Sequence, residues 1–162
     1  MKRYFVSGIL LSALLALTAC GASAPQEDAG WVGMQPFVNE ESNIRGLIPQ
    51  AGWSEVAQVQ LDSAPMDLNE LTAELVKQTP DLDELPERAA TYRGRALTWD
   101  VYSFEGHLPG VDPLVRLNVA LAEGDSLSYF VALAVLSEAY QAQPSLYDTV
   151  FRHVVYALEP LE

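Results

Sequence analysis

Cysteine and histidine are scarce in this sequence, and their scarcity excludes several kinds of chemistry. The chain has one cysteine, Cys20, and two histidines, His107 and His153. A single thiol cannot form an internal disulfide, and zinc or copper sites usually require clustered Cys and His ligands. The Gly-x-Ser-x-Gly, Ser-x-x-Lys and His-Glu-x-x-His motifs of common hydrolases are also missing. We therefore expect no catalytic residue, no metal and no cofactor.

Basic residues are few as well. The sequence has 9 Lys and Arg against 22 Asp and Glu, which gives a formal net charge of −13. This charge disfavours binding to nucleic acid, because phosphate recognition depends on Lys and Arg. It also argues against polybasic attachment to anionic lipid. Two explanations of the acidic composition stay open: solubility, and attraction of a cation or a basic partner.

The N-terminal residues have the pattern of a secretory signal that ends at a lipid-modified cysteine. Lys2 and Arg3 precede an apolar run at 4–17, which is too short to span a membrane permanently. The small residues before Cys20 resemble the lipobox of bacterial lipoproteins, in which the cysteine is acylated and the preceding bond is cut. That resemblance implies cleavage between Ala19 and Cys20, and anchoring to the lipid bilayer through acylated Cys20.

These features predict a domain organisation and a location. We expect a signal peptide at 1–19, a flexible tether at 20–30 and one folded domain at 31–162. Removal of the signal would take Lys2 and Arg3 with it, so the formal net charge would fall from −13 to −15. The predicted location is the extracytoplasmic side of a bacterial cell membrane or outer membrane, and the choice between those two membranes stays open.

Apolar periodicity predicts a β-hairpin near the end of the chain. The strand at 114–122 has large apolar residues at its odd-numbered positions, and the strand at 126–136 is apolar on both faces. A strand of the second kind must be covered on both faces. The sequence therefore requires two elements that pack on opposite sides of this hairpin.

Two predicted helices can supply that cover. The first is expected at 67–78 with Asp67 as its N-cap, and the second after Pro144 with Ser145 and Asp148 as a cap. Further strands are predicted at 37–38, 44–48, 56–61, 88–92 and 96–105, with Gly94 supplying a positive φ in the last turn. The expected fold class is α+β, an antiparallel sheet of about five to seven strands with a helix packed on each face.

Two motifs within these elements resemble those of the PsbP-like fold group. They are Ile48-Pro49-x-x-Gly52-Trp53 and Gly94-x-x-Leu97-Thr98-Trp99-x-x-Tyr102, and the resemblance covers about residues 37–158. The group includes an extrinsic photosystem II protein, a Ran-binding nuclear import factor and many bacterial lipoproteins. The resemblance implies an α/β/α sandwich and a non-catalytic accessory role in binding or assisting protein complexes. It brings no catalytic or metal-binding residue to this chain.

Four residues are candidates for a surface that binds an envelope protein. Arg88, Arg93 and Arg95 form a basic cluster in an acidic domain, and Trp53 follows a Pro-Gln-Ala-Gly turn. Arg and aromatic side chains dominate binding hot spots. The alternative interpretations are packing of Trp53 against the end of the sheet and pairing of the arginines with neighbouring acids.

Two other functions stay open. His107 lies in a loop at 106–113 that is rich in Gly and Pro, with Asp112 nearby, and it is the candidate residue for an envelope enzyme or hydrolase accessory. The remaining possibility is a small-ligand or calcium binder, although the spacing of acidic residues does not fit an EF-hand. The densest local supply of calcium ligands is an acidic loop that contains Asp81, Asp83, Glu84 and Glu87.

Overall fold

The structure, a computed structural model, describes residues 32–161. The predicted signal peptide, Cys20 and the predicted tether lie outside the described residues. The elements in chain order are β1 (Met34–Asn39), β2 (Ile44–Pro49), β3 (Ala57–Ala64), α1 (Leu68–Gln78), β4 (Ala90–Arg93), β5 (Thr98–Leu108), β6 (Val111–Glu123), β7 (Ser128–Leu136), α2 (Ser137–Ala142), α3 (Pro144–Ala157) and β8 (Glu159–Pro160). No helix within 32–161 is long and apolar enough to cross a membrane.

The strands form two antiparallel sheets, where the sequence predicted one. The five-stranded sheet has the order β3-β7-β6-β5-β4, and the three-stranded sheet has the order β1-β2-β8. The fold class is therefore α+β, as predicted. The single-sheet prediction fails because β2 pairs with β1 and with β8 from the far end of the chain, and not with β3.

The β6–β7 hairpin is confirmed and forms the centre of the five-stranded sheet. The two strands pair from Val115↔Leu136 to Glu123↔Ser128. Successive side chains of β7 enter different apolar clusters, since Val131 belongs to one and Phe130 to another. Both faces of this strand are buried, which accounts for its apolar sequence.

Helix α1 begins at the residue that its capping pattern predicts. The side chain of Asp67 accepts hydrogen bonds from the backbone N–H groups of Asn69 and Glu70. Leu71 and Leu75 are buried. They cluster with apolar side chains of the central hairpin: Val119, Leu121, Phe130 and Ala132.

Helix α3 has the predicted apolar stripe, but its predicted cap is wrong. The helix starts at Pro144 directly after α2, and Gln143 precedes it without a side-chain cap. Asp148 does not cap the helix, because it accepts a hydrogen bond from the Tyr140 hydroxyl. Four buried side chains of α3 belong to the largest apolar cluster, together with Trp99 and Val131 of the sheet: Tyr147, Phe151, Val154 and Val155.

Gly94 lets the β4–β5 turn lie close to its neighbours, and it does not adopt a positive φ. The prediction of a positive φ at Gly94 is wrong, because among residues 32–161 positive φ values occur at Asn43, Gly52 and Gly110. A Cβ at Gly94 would lie 3.0 Å from Trp99 Nε1, 3.1 Å from the Leu97 carbonyl oxygen and 3.3 Å from the Val155 carbonyl oxygen. Glycine is needed here because the β4–β5 turn lies against the last turn of α3.

The three-stranded sheet lies at the C-terminal end of α3. A Cβ at Gly46 of β2 would lie 3.1 Å from the Cα atom of Leu158, so the strand and the end of the helix touch through backbone. β8 follows the helix at once and pairs with β2 through Ile44↔Pro160 and Arg45↔Glu159. This arrangement brings Arg45 of an early strand to the last residues of the fold.

Candidate functional site

The three predicted arginines contact different parts of the molecule. Arg88 forms an ion pair with Asp100, with 2.9 Å between Nη1 and Oδ1. Arg95 lies 3.7 Å from Glu159, measured between Nη1 and Oε1. Arg93, the last residue of β4, is exposed. The hairpin therefore directs Arg88 and Arg95 to separate carboxylates, and neither joins Trp53.

Trp53 begins a row of aromatic rings that ends at a different arginine. Its ring centroid is 6.2 Å from that of Tyr147 in an edge-to-face arrangement with an interplanar angle of 63°. Tyr147 and Tyr140 stack with centroids 6.2 Å apart. Arg116 Cζ lies 5.2 Å from the centroid of the Tyr140 ring. We call Trp53, Tyr147, Tyr140 and Arg116 the aromatic row.

Four separate elements position the aromatic row. Trp53 follows a turn in which Gly52 has a φ of 75°, and its backbone N–H donates to the Gln50 carbonyl oxygen at 3.1 Å. Tyr140 belongs to α2, Tyr147 to the first turn of α3 and Arg116 to β6. The break between the two helices sets Tyr140 and Tyr147 face to face.

A chain of polar side chains fixes the Tyr140 end of the row. The Tyr140 hydroxyl donates to Asp148 Oδ1 at 2.8 Å, and the Asn118 amide lies 3.5 Å from the same oxygen. Ser103 in turn donates to Asn118 Oδ1 at 2.7 Å. Asn118 is almost fully buried. Buried polar groups that are linked in this way hold one geometry, so the Tyr140 ring is placed before any partner arrives.

Both tyrosines of the row stay protonated at neutral pH. Burial raises the pKa of Tyr140, and the hydrogen bond to Asp148 raises it further. Burial also raises the pKa of Tyr147. The row therefore presents neutral rings over a wide pH range, and its formal charge comes from Arg116.

Arg116 has hydrogen-bonding capacity that the described residues leave unused. Its Nε atom is buried and has no hydrogen-bond partner within 32–161. Its guanidinium lies over the Tyr140 ring, an arrangement that is worth roughly 0.5–2 kcal/mol depending on exposure. A guanidinium is suited to donate paired hydrogen bonds to a carbonyl or carboxylate oxygen.

Four residues of this site, Arg116, Asn118, Tyr140 and Tyr147, are absent from the candidates taken from the sequence. A signal for the first two exists, because both are polar residues on the face of β6 that continues with Ala120 and Ala122. Tyr140 gives no such signal. Its contact with Tyr147 depends on the break at Gln143, which helical periodicity does not reveal.

His107 pairs with Asp81 and not with the neighbouring Asp112. Nδ1 of His107 lies 2.8 Å from Asp81 Oδ2, and the backbone N–H of His107 donates to the same oxygen at 3.0 Å. The backbone hydrogen bond, followed by the side-chain one, lowers the pKa of Asp81. Both side chains are largely exposed. Within 32–161, the hydrogen bonds between His107 and a side chain are both to Asp81, and no hydroxyl nucleophile is bonded to the ring.

The acidic loop does not gather its carboxylates. No group of three or more His, Cys, Asp or Glu side chains in the described part of the chain is arranged to hold a metal ion. One member of the loop, Asp81, is instead hydrogen-bonded to His107.

Comparison with known proteins gives a likeness in structure. No protein-family model matches the sequence, and no curated protein matches it. The solution structure of cyanobacterial PsbP (CyanoP) from Synechocystis sp. PCC 6803 superposes with a TM-score of 0.53 at 11% sequence identity. The match covers 89% of this chain and 98% of that chain. The chain has a PsbP-like fold.

The PsbP-like fold confirms the resemblance seen in the two sequence motifs. The residues of these motifs serve the fold, because Trp99 is fully buried and Gly52 has a positive φ in the turn before Trp53. At 11% identity the likeness concerns the fold alone. The lipobox and Cys20 lie outside the described residues, so the lipid anchor stays a prediction.

Proposed function

We propose that this protein is a membrane-anchored, extracytoplasmic lipoprotein that acts as a non-enzymatic binding or assembly module for an envelope protein. Acylated Cys20 holds it at the bilayer, and its domain is a PsbP-like α/β/α sandwich. The partner contacts the aromatic row. Trp53 keeps the role suggested by the sequence, but Arg116, at the other end of the row, takes the place of Arg88, Arg93 and Arg95.

The observation that carries this proposal is the composition and rigidity of the aromatic row. Trp, Tyr and Arg are the residues most enriched at binding hot spots. Trp53 and Tyr140 are half-buried, so their rings are fixed by the fold and yet reach solvent. Side chains that are already ordered lose less entropy when a partner binds, which raises affinity.

The sandwich architecture is supported by the separate apolar clusters. Leu71 of α1 clusters with Phe130, and Phe151 of α3 clusters with Val131. Phe130 and Val131 are consecutive residues of β7, and consecutive strand residues point to opposite faces of a sheet. Two helices on opposite faces of the five-stranded sheet satisfy this arrangement.

Site-specific photo-crosslinking in the host tests the binding role. The full-length protein carries p-benzoylphenylalanine in place of Trp53 or of Gln141, which is exposed next to Tyr140. A matched control carries it at Lys77, an exposed position on α1. We expect one recurrent protein adduct from positions 53 and 141 and none from 77. Equal adducts at all three positions would contradict the proposal, and so would the absence of adducts at positions 53 and 141.

The His107–Asp81 pair supports a second candidate function, that of an envelope enzyme or hydrolase accessory. A histidine oriented by a carboxylate is the base-and-orienter part of a catalytic triad. Replacement of His107 by alanine separates the candidates, because it would abolish a hydrolytic activity and leave the crosslinks of the aromatic row unchanged. Loss of those crosslinks in the His107→Ala protein would contradict the proposal that the aromatic row binds the partner independently of His107.

A further inference from the structure

A row of side chains crosses the three-stranded sheet, away from the aromatic row. Val38 is directly opposite Arg45, and Arg45 is directly opposite Glu159. Directly opposed residues in antiparallel strands share a face. Arg95 extends the row beyond Glu159, and its backbone N–H donates to the Tyr156 carbonyl oxygen at 3.2 Å. We call Val38, Arg45, Glu159, Arg95 and Tyr156 the arginine surface.

Two guanidinium groups in the arginine surface share one carboxylate. Arg45 Nε and Nη2 each lie 3.1 Å from Glu159 Oε2. Arg95 Nη1 is 3.7 Å from Glu159 Oε1, too far for a good hydrogen bond. The Arg95 side chain is 60% exposed. The two guanidinium groups and the Glu159 carboxylate together carry one net positive charge. That charge lies mainly on Arg95, whose N–H donors are the less used of the two.

The positive charge continues along α3, and two further acidic residues lie at the opposite end of the arginine surface. Arg152 is exposed and lies one helical turn before Tyr156, on the same side of the helix. Glu40 and Glu41 belong to the β1–β2 turn next to Val38. The arginine surface is thus positive at its Arg95 end, although the whole chain carries a formal net charge of −13.

Exposed apolar side chains accompany these charges. Among residues 32–161, three large hydrophobic side chains are exposed: Val38 at 62%, Tyr156 at 56% and Leu114 at 40%. Two of the three belong to the arginine surface. Tyrosine and arginine are among the residues that are enriched at protein interfaces.

We propose that the arginine surface binds an acidic segment of a partner protein, with a carboxylate on Arg95 and an apolar side chain against Tyr156. Arg presents paired N–H donors that match a carboxylate. The repulsion from Glu40 and Glu41 directs the carboxylates to the Arg95 end. This site is independent of the aromatic row, because Tyr147 and Tyr156 lie nine residues apart on α3, roughly 14 Å along the helix.

An acidic protein segment suits this surface better than other anions. Nucleic acid and anionic lipid carry many charges, and the long-range field of a strongly acidic protein repels both. A short segment with one or two carboxylates and an apolar neighbour engages the local positive charge. The apolar part of the contact supplies attraction that salt does not screen.

A peptide selection tests this proposal with the full-length protein in mild detergent. A phage library of random 12-residue peptides is selected on the wild-type protein after depletion on the Arg45→Gln/Arg95→Gln variant. We expect the enriched peptides to combine Asp or Glu with an aromatic or aliphatic residue. Enrichment of neutral or basic peptides, or of no common sequence, overturns the proposal.

Single variants then locate the binding of one enriched synthetic peptide. We expect Arg95→Gln to weaken the affinity about tenfold and Tyr156→Ser to weaken it about threefold. The matched control is Arg88→Gln, because Arg88 is an exposed arginine with a carboxylate partner on another part of the fold. An equal loss in Arg88→Gln, or no loss in Arg95→Gln, contradicts the assignment, provided that the melting temperatures of the variants agree. Preferential competition by vesicles with anionic lipid also overturns it, since the site would then bind a membrane.

Discussion

At the scale of single residues, Trp99 combines complete burial with an unpaired donor. Its side chain has no exposure, and its indole Nε1 has no hydrogen-bond partner among the described residues. A buried donor without a partner costs about 1–3 kcal/mol. The aromatic ring stabilises the fold, and its N–H group opposes that stabilisation.

We therefore expect Trp99→Phe to be tolerated far better than Trp99→Ala. The phenylalanine removes the unpaired N–H and leaves a small cavity, so the free energy of unfolding should fall by less than about 2 kcal/mol, against about 3–5 kcal/mol for alanine. Urea denaturation of the three proteins measures both losses. Similar losses in the two variants would mean that the indole N–H forms a stabilising hydrogen bond.

Gly94 gives a second prediction at this scale, based on space and not on backbone conformation. Its missing side chain would meet Trp99 Nε1 at 3.0 Å and two carbonyl oxygens at 3.1 and 3.3 Å. We expect Gly94→Ala to lower the free energy of unfolding by about 1–3 kcal/mol, because backbone atoms of α3 and of the β4–β5 turn must move. In a protein that already carries Trp99→Phe, Gly94→Ala should cost less free energy of unfolding than in the wild type, because the contact with Nε1 is gone. Part of the cost should stay, since the contacts with the two carbonyl oxygens remain.

Asp81 makes stability depend on pH. Its pKa is lowered in the folded protein, so the stabilisation is present above the ordinary pKa of an aspartate and is lost as the pH falls through the lowered pKa. We expect Asp81→Asn to lower the denaturation midpoint at pH 7, and the difference from wild type to shrink as the pH falls below about 4. A difference that grows on acidification would contradict this sign.

A His107→Ala variant is the control for that titration. The largest cause of the lowered pKa is the backbone N–H of residue 107, which alanine keeps. NMR titration of the Asp81 carboxyl should therefore show a pKa between those of the wild-type and unfolded chains. A complete return to the ordinary value would show that the imidazole alone is responsible.

Residue identities alone could not predict which arginine belongs to the aromatic row that begins at Trp53. Arg88, Arg93 and Arg95 are close in sequence, yet Arg88 pairs with Asp100 and Arg95 with Glu159. Contact between Trp53 and Arg116 runs through two tyrosines on different helices. Such neighbours are set by tertiary packing, and local sequence carries no trace of them.

At the scale of elements, the N-cap of α1 is the clearest agreement between sequence and structure. Asp67 accepts two backbone hydrogen bonds, at 2.8 and 2.9 Å. We expect Asp67→Ala to lower the free energy of unfolding by about 1 kcal/mol, and Asp67→Asn to lose less because the amide keeps an acceptor. Chemical denaturation distinguishes these values, and equal losses would contradict the capping role.

Elements with a simple period were predictable, and their junctions were not. The stripe of α3 follows from burial of one helix face, and the alternation in β6 follows from large apolar side chains on one face and smaller buried ones on the other. The helix near Pro144 is found as predicted, but its predicted cap of Ser145 and Asp148 is wrong, because α2 ends directly before it and Gln143 precedes it without a side-chain cap. Asp148 was free to accept from Tyr140, a contact between elements.

At the scale of the whole molecule, the division into two sheets lay beyond the sequence pattern. β8 has two residues, too few for any period, and its partner β2 lies more than a hundred residues earlier. Apolar alternation reports which residues are buried, but it does not report which strands pair. The α+β class was therefore predictable, while the number and order of sheets were not.

The predicted lipid anchor at Cys20 determines whether the whole molecule is found at the membrane. We expect Cys20→Ser to prevent acylation and to release the protein from membranes, because the lipid supplies the attachment. Fractionation of host cells with and without detergent measures the change. Detergent-dependent retention of the Cys20→Ser protein would contradict a lipid anchor at this residue.

Strand β7 also dictates when the chain can fold. It lies between β3 and β6, and its pairing with β3 joins Ala57 to Val135. Until β7 is available, β3 has no neighbour and the five-stranded sheet remains in two parts. Pairing over such a distance is slow to form. The five-stranded sheet therefore cannot be completed until about residue 136 is present, and an incompletely folded polypeptide can pass through a narrow membrane channel.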